Sequence, residues 1–186
     1  RVVSGMRLGW SPDFGHAIVE PEVSDATEHA ALAFQEMGCI VEQVNLDLEN
    51  SQHIFEPIFH ANISATYHHL LSQEEDLTDY AIGPIKQGAA ISGAEYSEAL
   101  GHVDIMRAKF DDAFEQYDLL LSPTMAVTAF PVGDPPSEIA GQEIDPSWGY
   151  SQFPAIINLI GYTAASIPCG FSSTGLPIGL HIIGRH

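Results

Sequence analysis

The segment from Ser151 to Arg185, SQFPAIINLIGYTAASIPCGFSSTGLPIGLHIIGR, carries no acid or base before Arg185 except His181. A protein surface does not tolerate so apolar a run, so this segment must lie inside a domain. Its punctuation divides it. Phe153 to Ile160 is long enough for a short buried helix, and Gly161 ends it where a chain reversal is cheap. AASIPCGF follows as a short strand, with Pro168 removing one ladder donor and so favouring a strand end or an edge. SSTGLP is a turn marked by Gly175 and Pro177, and Ile178 to Ile183 is a buried strand interrupted by Gly179 and His181. The unit is helix, strand, turn, strand.

The rest of the chain supplies partners for that unit. Arg1 to Trp10 is a strand candidate with its core at Met6 to Trp10, closed by Pro12 and Gly15. Glu20-Pro21-Glu22 opens a helix in which Val23, Ala26, Ala30, Ala31, Phe34 and Met37 keep helical spacing, with Gly38 as its C-cap. Cys39 to Leu46 alternates as a strand, and strand-helix-strand with short links implies a right-handed crossover and a parallel pair. Ser51 to Leu71 is helical in pattern; Gln73 to Asp79 is an acidic loop or helix end, and Tyr80 to Ser92 a helix plus a turn. Ser92 and Glu95 have the spacing of a capping box. They start a long helix to Tyr117 with Tyr96, Leu100, Val103, Met106, Phe110, Ala113 and Phe114 inward. Asp118 to Ser122 is a buried strand ended by Pro123, and residues 131 to 149 form a long surface loop of the kind that rims pockets. The expected fold is α/β: a mixed sheet covered by helices in a single domain, residues 1–186. Its parts are a β-α-β unit (1–48), a helical segment (51–117), and a strand, long loop and helix-strand-strand unit (118–186).

Charge narrows the function classes. Twenty-five acids against 6 basic residues give a net charge of −19, a field that repels phosphate backbones and anionic lipid, so neither nucleic acid nor membrane is an expected partner. Cys39 and Cys169 have neither metal nor framework spacing and sit in apolar contexts, which suits free thiols in a reducing, cytoplasmic compartment. No apolar run reaches the length of a membrane span. His53, Glu56 and His60 share a helical face, but no HExxH arrangement or third-ligand motif accompanies them. No metal and no cofactor are expected. No GxSxG elbow surrounds any serine, so Ser122, Ser151, Ser166, Ser172 and Ser173 read as structural.

The pattern NLxGxxAxSxPCGF followed by GLPxGLxxxGR, read from Asn158 to Arg185, resembles the C-terminal signature of the amidase signature hydrolases. MRLGW at 6–10 and YDLLLSPTMAVTAFPVG at 117–133 agree in register, so the resemblance covers essentially the whole chain. It covers only the second half of the family's sequence. The family's Ser-Ser-Lys triad belongs to the other half: this chain has no Gly/Ser-rich serine run, and its only lysines, Lys86 and Lys109, fall in segments matching other parts of the pattern. The resemblance therefore implies a C-terminal fragment of an amide hydrolase with no catalytic residue of its own. Its partners would be the missing N-terminal half and a small-molecule amide, and apolar surface left bare would favour self-association.

The resemblance also implies substrate contacts. Relatives place the loop at Thr124 and Met125 along the substrate cleft. The A subunits of tRNA-dependent amidotransferases grip a charged substrate with an arginine and an aspartate; those positions hold Val103, or Arg107 one turn on, and Ser151 here. If both anchors are missing, a neutral amide fits better, facing Met125, Phe153 and Ile157, residues that would serve equally as core. The alternatives are such an amidotransferase component and a non-catalytic α/β binding module.

Overall fold

A computed structural model describes residues 3–49 and 51–185; Arg1, Val2 and His186, at the ends of the expected strand and signature segment, lie outside the described residues. The chain forms two compact units, one of Arg1–Asn50 with Arg107–His186 and one of Ser51–Met106. The second takes up most of the expected helical segment.

The first unit is built on a mixed five-stranded sheet. Its strands are β1 (Arg7–Trp10), β2 (Ile40–Gln43), β3 (Leu119–Pro123), β6 (Thr163–Phe171) and β7 (Pro177–Gly184), in the order β2-β1-β3-β7-β6. β1 runs parallel to both β2 and β3, whereas β7 is antiparallel to β3 and β6. The parallel pair and the C-terminal hairpin are those expected from the sequence. Helix α1 (Pro21–Glu36) makes the crossover. Proline is at home in its first turn, where its missing N–H is needed by no partner, and Gly38 at φ +84° reverses the chain into β2. β2 stops at Gln43 rather than Leu46, although Val44 N still donates to Trp10 O at 2.8 Å.

Each sheet face has its own packing. On one, Leu8, Trp10, Leu121 and Leu180 join Ala31 of α1 and Cys39. Elsewhere in the unit Phe14, fully buried, meets Phe110 and Phe153 edge to face at 5.7 and 5.0 Å between ring centres, the arrangement ring quadrupoles favour. Phe153 belongs to α5 (Gln152–Ile160), which Gly161 closes at φ +77°. β6 is the outer strand, exposed from Thr163 to Pro168. A register shift between Pro168 and Gly170 accommodates the proline, the expected compromise on an edge.

In the second unit α2 (Gln52–Tyr67) contains Pro57 and gives way to a 3₁₀ helix, His68–Asp76. The expected helix to Leu71 is thus shorter in α-form, and the acidic stretch begins at a kink at Gln73 (φ −130°, ψ 43°) before a last helical turn to Asp76. α3 (Asp79–Gly88) packs on α2 so closely that a Cβ at Gly88 would lie 1.9 Å from the His60 carbonyl oxygen. The capping box forms: Glu95 N donates to Ser92 Oγ at 3.2 Å and Ser92 N to Glu95 Oε2 at 2.8 Å. It starts α4 (Gly93–Phe114), which passes from the second unit into the first. Ala99, Val103, Met106, Phe110, Ala113 and Phe114 are its buried positions, and Leu100, expected inward, is 42% exposed. Ala99 takes its place in the stripe. The expected structureless loop at 131–149 contains a hairpin, β4 (Glu138–Ile139) and β5 (Gln142–Glu143), turned by Ala140 and Gly141 at φ +50° and +78°. Alanine is a rare choice there, since a Cβ disfavours left-handed backbone, which is why the turn was not legible.

Candidate substrate cleft

The chain leaves β3 at Pro123, and Thr124 N donates at once to Gly179 O of β7 at 2.9 Å. Across Gly179, the hydroxyls of Thr124 and of Ser166 on β6 share a hydrogen bond of 2.7 Å. That bond spans the middle strand only because residue 179 has no side chain. A Cβ there would lie 2.7 Å from Ser166 Oγ and 2.9 Å from Thr124 Oγ1. The two hydroxyls line a cleft of about 510 Å³ at the end of the sheet. Its walls come from the loop after β3 (Met125, Val127, Phe130), from Tyr150, from Val23 of α1 and from Ile178 of β7. None of the lining residues is charged, although the chain carries a net charge of −19.

Backbone and ring contacts brace the cleft's walls. Ala126 N donates to Tyr150 O at 3.0 Å and Ala126 O accepts from Glu20 N at 2.9 Å. The Phe130 and Tyr150 rings meet edge to face, 4.9 Å apart. In the first turn of α1, Glu22 accepts from Ser173 N and Ser173 Oγ at 2.7 and 2.6 Å, tying the β6–β7 turn to the helix. Those two hydrogen bonds hold the Glu22 carboxyl below its usual range. His181, paired across the sheet with Ser122 and Ser166, is 5% exposed, and its Nδ1 has no partner among the described residues. Burial pushes its pKa down to about 4.

The residues expected to touch substrate are divided by the structure. Thr124 and Met125 line the cleft. Ser151 is half-buried at the start of α5, its Oγ donating to Trp148 O at 3.3 Å. Phe153 and Ile157 do not line this cleft; they are buried, Phe153 against Phe14. Arg107 lies at the other end of α5, where its Nε donates to Ile160 O at 3.1 Å. Val103 is buried. Sequence reasoning missed Val23, Phe130, Tyr150, Ser166 and Ile178, which tertiary folding brings together from four separate segments. Phe130 at least lay within the motif that carries the family resemblance.

Several other residues with reactive groups have structural partners. Ser122 Oγ donates to Pro123 O at 3.0 Å, and Ser172 Oγ shares a 2.8 Å bond with Thr174. Lys86 pairs with Glu74 at 2.6 Å and Lys109 with Asp47 at 3.5 Å. In the helical unit, Glu56 accepts from Gln52 at 2.9 Å, and the His53 ring lies edge-on to that of His102. Burial raises the Cys169 thiol, which suppresses the nucleophilic thiolate.

An uncharged cleft at the end of the sheet is where α/β proteins commonly take small ligands. Within that class the chain belongs to the amidase family, whose model matches residues 2–186. It is 29% identical to an acylamidase of Rhodococcus erythropolis over 99% of this chain and 39% of that protein. It is 32% identical to the A subunit of a glutamyl-tRNA(Gln) amidotransferase from Moorella thermoacetica, over 98% of this chain and 42% of that protein. Among solved structures, a bacterial aryl acylamidase of the amidase signature family superposes with a TM-score of 0.86 at 28% identity, covering 98% of this chain and 40% of that one. The chain thus spans about two fifths of the length of these relatives.

Proposed function

We propose that this chain forms one wall of the substrate cleft of an amide hydrolase, acting on the carbon–nitrogen bond of a neutral small-molecule amide. The observation that carries the reading is the cleft beside Thr124, which has no charged lining residue. A zwitterionic amide placed there would give up hydration for no ionic partner, a cost of several kcal/mol. A neutral amide loses little. The hydroxyls of Thr124 and Ser166 satisfy each other with one O–H, leaving a second O–H and lone pairs for a substrate carbonyl or amide. The serine nucleophile and its base would come from sequence beyond this chain, where the family resemblance puts them.

The test is substrate preference in a longer protein that contains this chain. A neutral amide should be turned over with a kcat/KM more than about tenfold above that of the matching α-amino-acid amide. Efficient glutamine hydrolysis coupled to amidation of a charged tRNA would support the amidotransferase reading instead, to which the Moorella similarity points.

A further inference from the structure

We infer that His53 of α2 and His102 of α4 form a two-histidine site for a divalent transition metal, zinc foremost, on the helical unit. The inference is independent of the amidase reading. Both residues belong to the second compact unit, Ser51–Met106. Their rings meet edge to face, with centres 5.6 Å apart and planes at 80°. Each offers an imidazole nitrogen within 4.8 Å of the other's. Two imidazoles on one tetrahedral metal, with bonds of about 2.0–2.1 Å, hold their donor atoms roughly 3.3 Å apart. Rotation of the His53 side chain, which is exposed while His102 is half-buried, closes the difference. The backbones that carry the two rings are anchored. Ile54 and Val103, each next to a ligand, are 1% and 4% exposed. Tyr96 Oη donates to Asn62 Oδ1 at 3.3 Å, a contact further along α2 but further back along α4. The two helices therefore run antiparallel and meet at two points.

The donor set selects the metal. Neutral imidazole suits zinc and copper, whereas magnesium and calcium take oxygen ligands. Water would fill the remaining positions, as it does at open zinc sites. The surroundings favour a cation: between Ser51 and Met106, eight acids stand against one lysine, a field that raises the local concentration of positive ions. The expectation of no metal rested on the α2 face alone, with His53, Glu56 and His60 and no third-ligand motif. In the folded chain Glu56 accepts from Gln52 at 2.9 Å, and the second imidazole comes from α4, a pairing that no spacing within α2 can announce. A metal held by both rings would staple α2 to α4 and stabilise the folded unit by mass action.

The probe is zinc chloride, titrated into the 186-residue chain and followed by the imidazole ring resonances, with magnesium chloride as the control. The His53 and His102 rings should shift together and saturate at one zinc per chain. The thermal unfolding midpoint should rise with zinc concentration, and magnesium should produce neither effect. His53→Gln and His102→Gln should each weaken zinc binding at least about tenfold, since a lost ligand costs no less than a lost outer partner. His60→Gln and the double variant His68→Gln/His69→Gln remove imidazoles elsewhere in the same unit and should leave the affinity unchanged. Far-UV circular dichroism without zinc checks each fold. His53 is exposed, so His53→Gln decides the matter even where His102→Gln loses helix. Unchanged zinc affinity in His53→Gln, ring shifts confined to His68 and His69, or an equal response to magnesium would overturn the inference.

Discussion

Two residues on β7, one buried in the sheet and one in the cleft wall, have consequences that single substitutions can read. His181 is buried between Ser122 and Ser166 in sheet register, and burial holds its pKa near 4 against an ordinary 6.5. The folded state therefore keeps it neutral while the unfolded chain protonates. Stability is full above about pH 6.5 and falls as pH drops towards 4, by on the order of 3 kcal/mol from this residue alone. His16, also lowered by burial, adds a loss of the same sign. His181→Gln should flatten part of that acid limb, measured as the unfolding midpoint in denaturant at about pH 7 and about pH 5. An unchanged difference between the two pH values would show that His181 is not buried neutral. Gly179 makes the complementary case. Gly179→Ala forces apart the hydroxyls that now bond across it, at a cost of about 1–3 kcal/mol. Adding Ser166→Ala should recover part of that loss, because one of the two clashing oxygens is gone; a purely additive double variant would refute the contact.

At the scale of elements, what was legible in the sequence was whatever local chemistry decides. The β-α-β unit announced itself through Pro21, the α1 stripe and Gly38, the α4 start through Ser92 and Glu95, and the α5 end through Gly161. What escaped was set by packing at a distance. Leu100 had helical spacing but faces outward because Ala99 takes the buried position. The β4–β5 turn escaped because Ala140 carries none of the usual turn chemistry. The cleft followed the same division. Thr124 and Met125 were readable from their motif, whereas Tyr150 and Val23 reach it only through the tertiary fold, and Phe153 and Ile157, apolar in any reading, pack as core. Gly88 is the sharpest instance of a residue whose reason is invisible locally. It sits in the last turn of α3, where any Cβ would strike the His60 backbone of α2. Gly88→Ala, which helix propensity alone would favour by about 1 kcal/mol, should instead destabilise the helical unit by several kcal/mol. Loss of helical circular dichroism at a lower temperature measures it, and a gain in stability would show that α2 and α3 are not packed this closely.

For the whole molecule, the decisive prediction concerns where the chemistry resides. Hydrolysis through an acyl-enzyme needs a nucleophile, a base to take its proton and donors for the oxyanion. The chain matches relatives over 39–42% of their length, and the family resemblance assigns the Ser-Ser-Lys triad to the remainder. Its own groups are committed elsewhere. Both lysines sit in ion pairs, with Glu74 and Asp47. Ser122, Ser151, Ser172 and Ser173 bond to carbonyls, to Thr174 or to Glu22, and Ser166 to Thr124. None of these hydroxyls donates to a histidine or lysine, and the one carboxylate partner, Glu22, is held below its usual pKa range and so is a weak base. Residues 1–186 alone should therefore leave amides and esters intact and take no label from a serine-directed fluorophosphonate. A longer protein that supplies the Gly/Ser-rich segment and its lysine should both hydrolyse and label. Mass spectrometry of the labelled protein reads the answer directly. Stoichiometric modification of any serine within this chain, including Ser166 in the cleft wall, would mean that the catalytic centre lies here after all; were the label on Ser166, the amide would be attacked from β6.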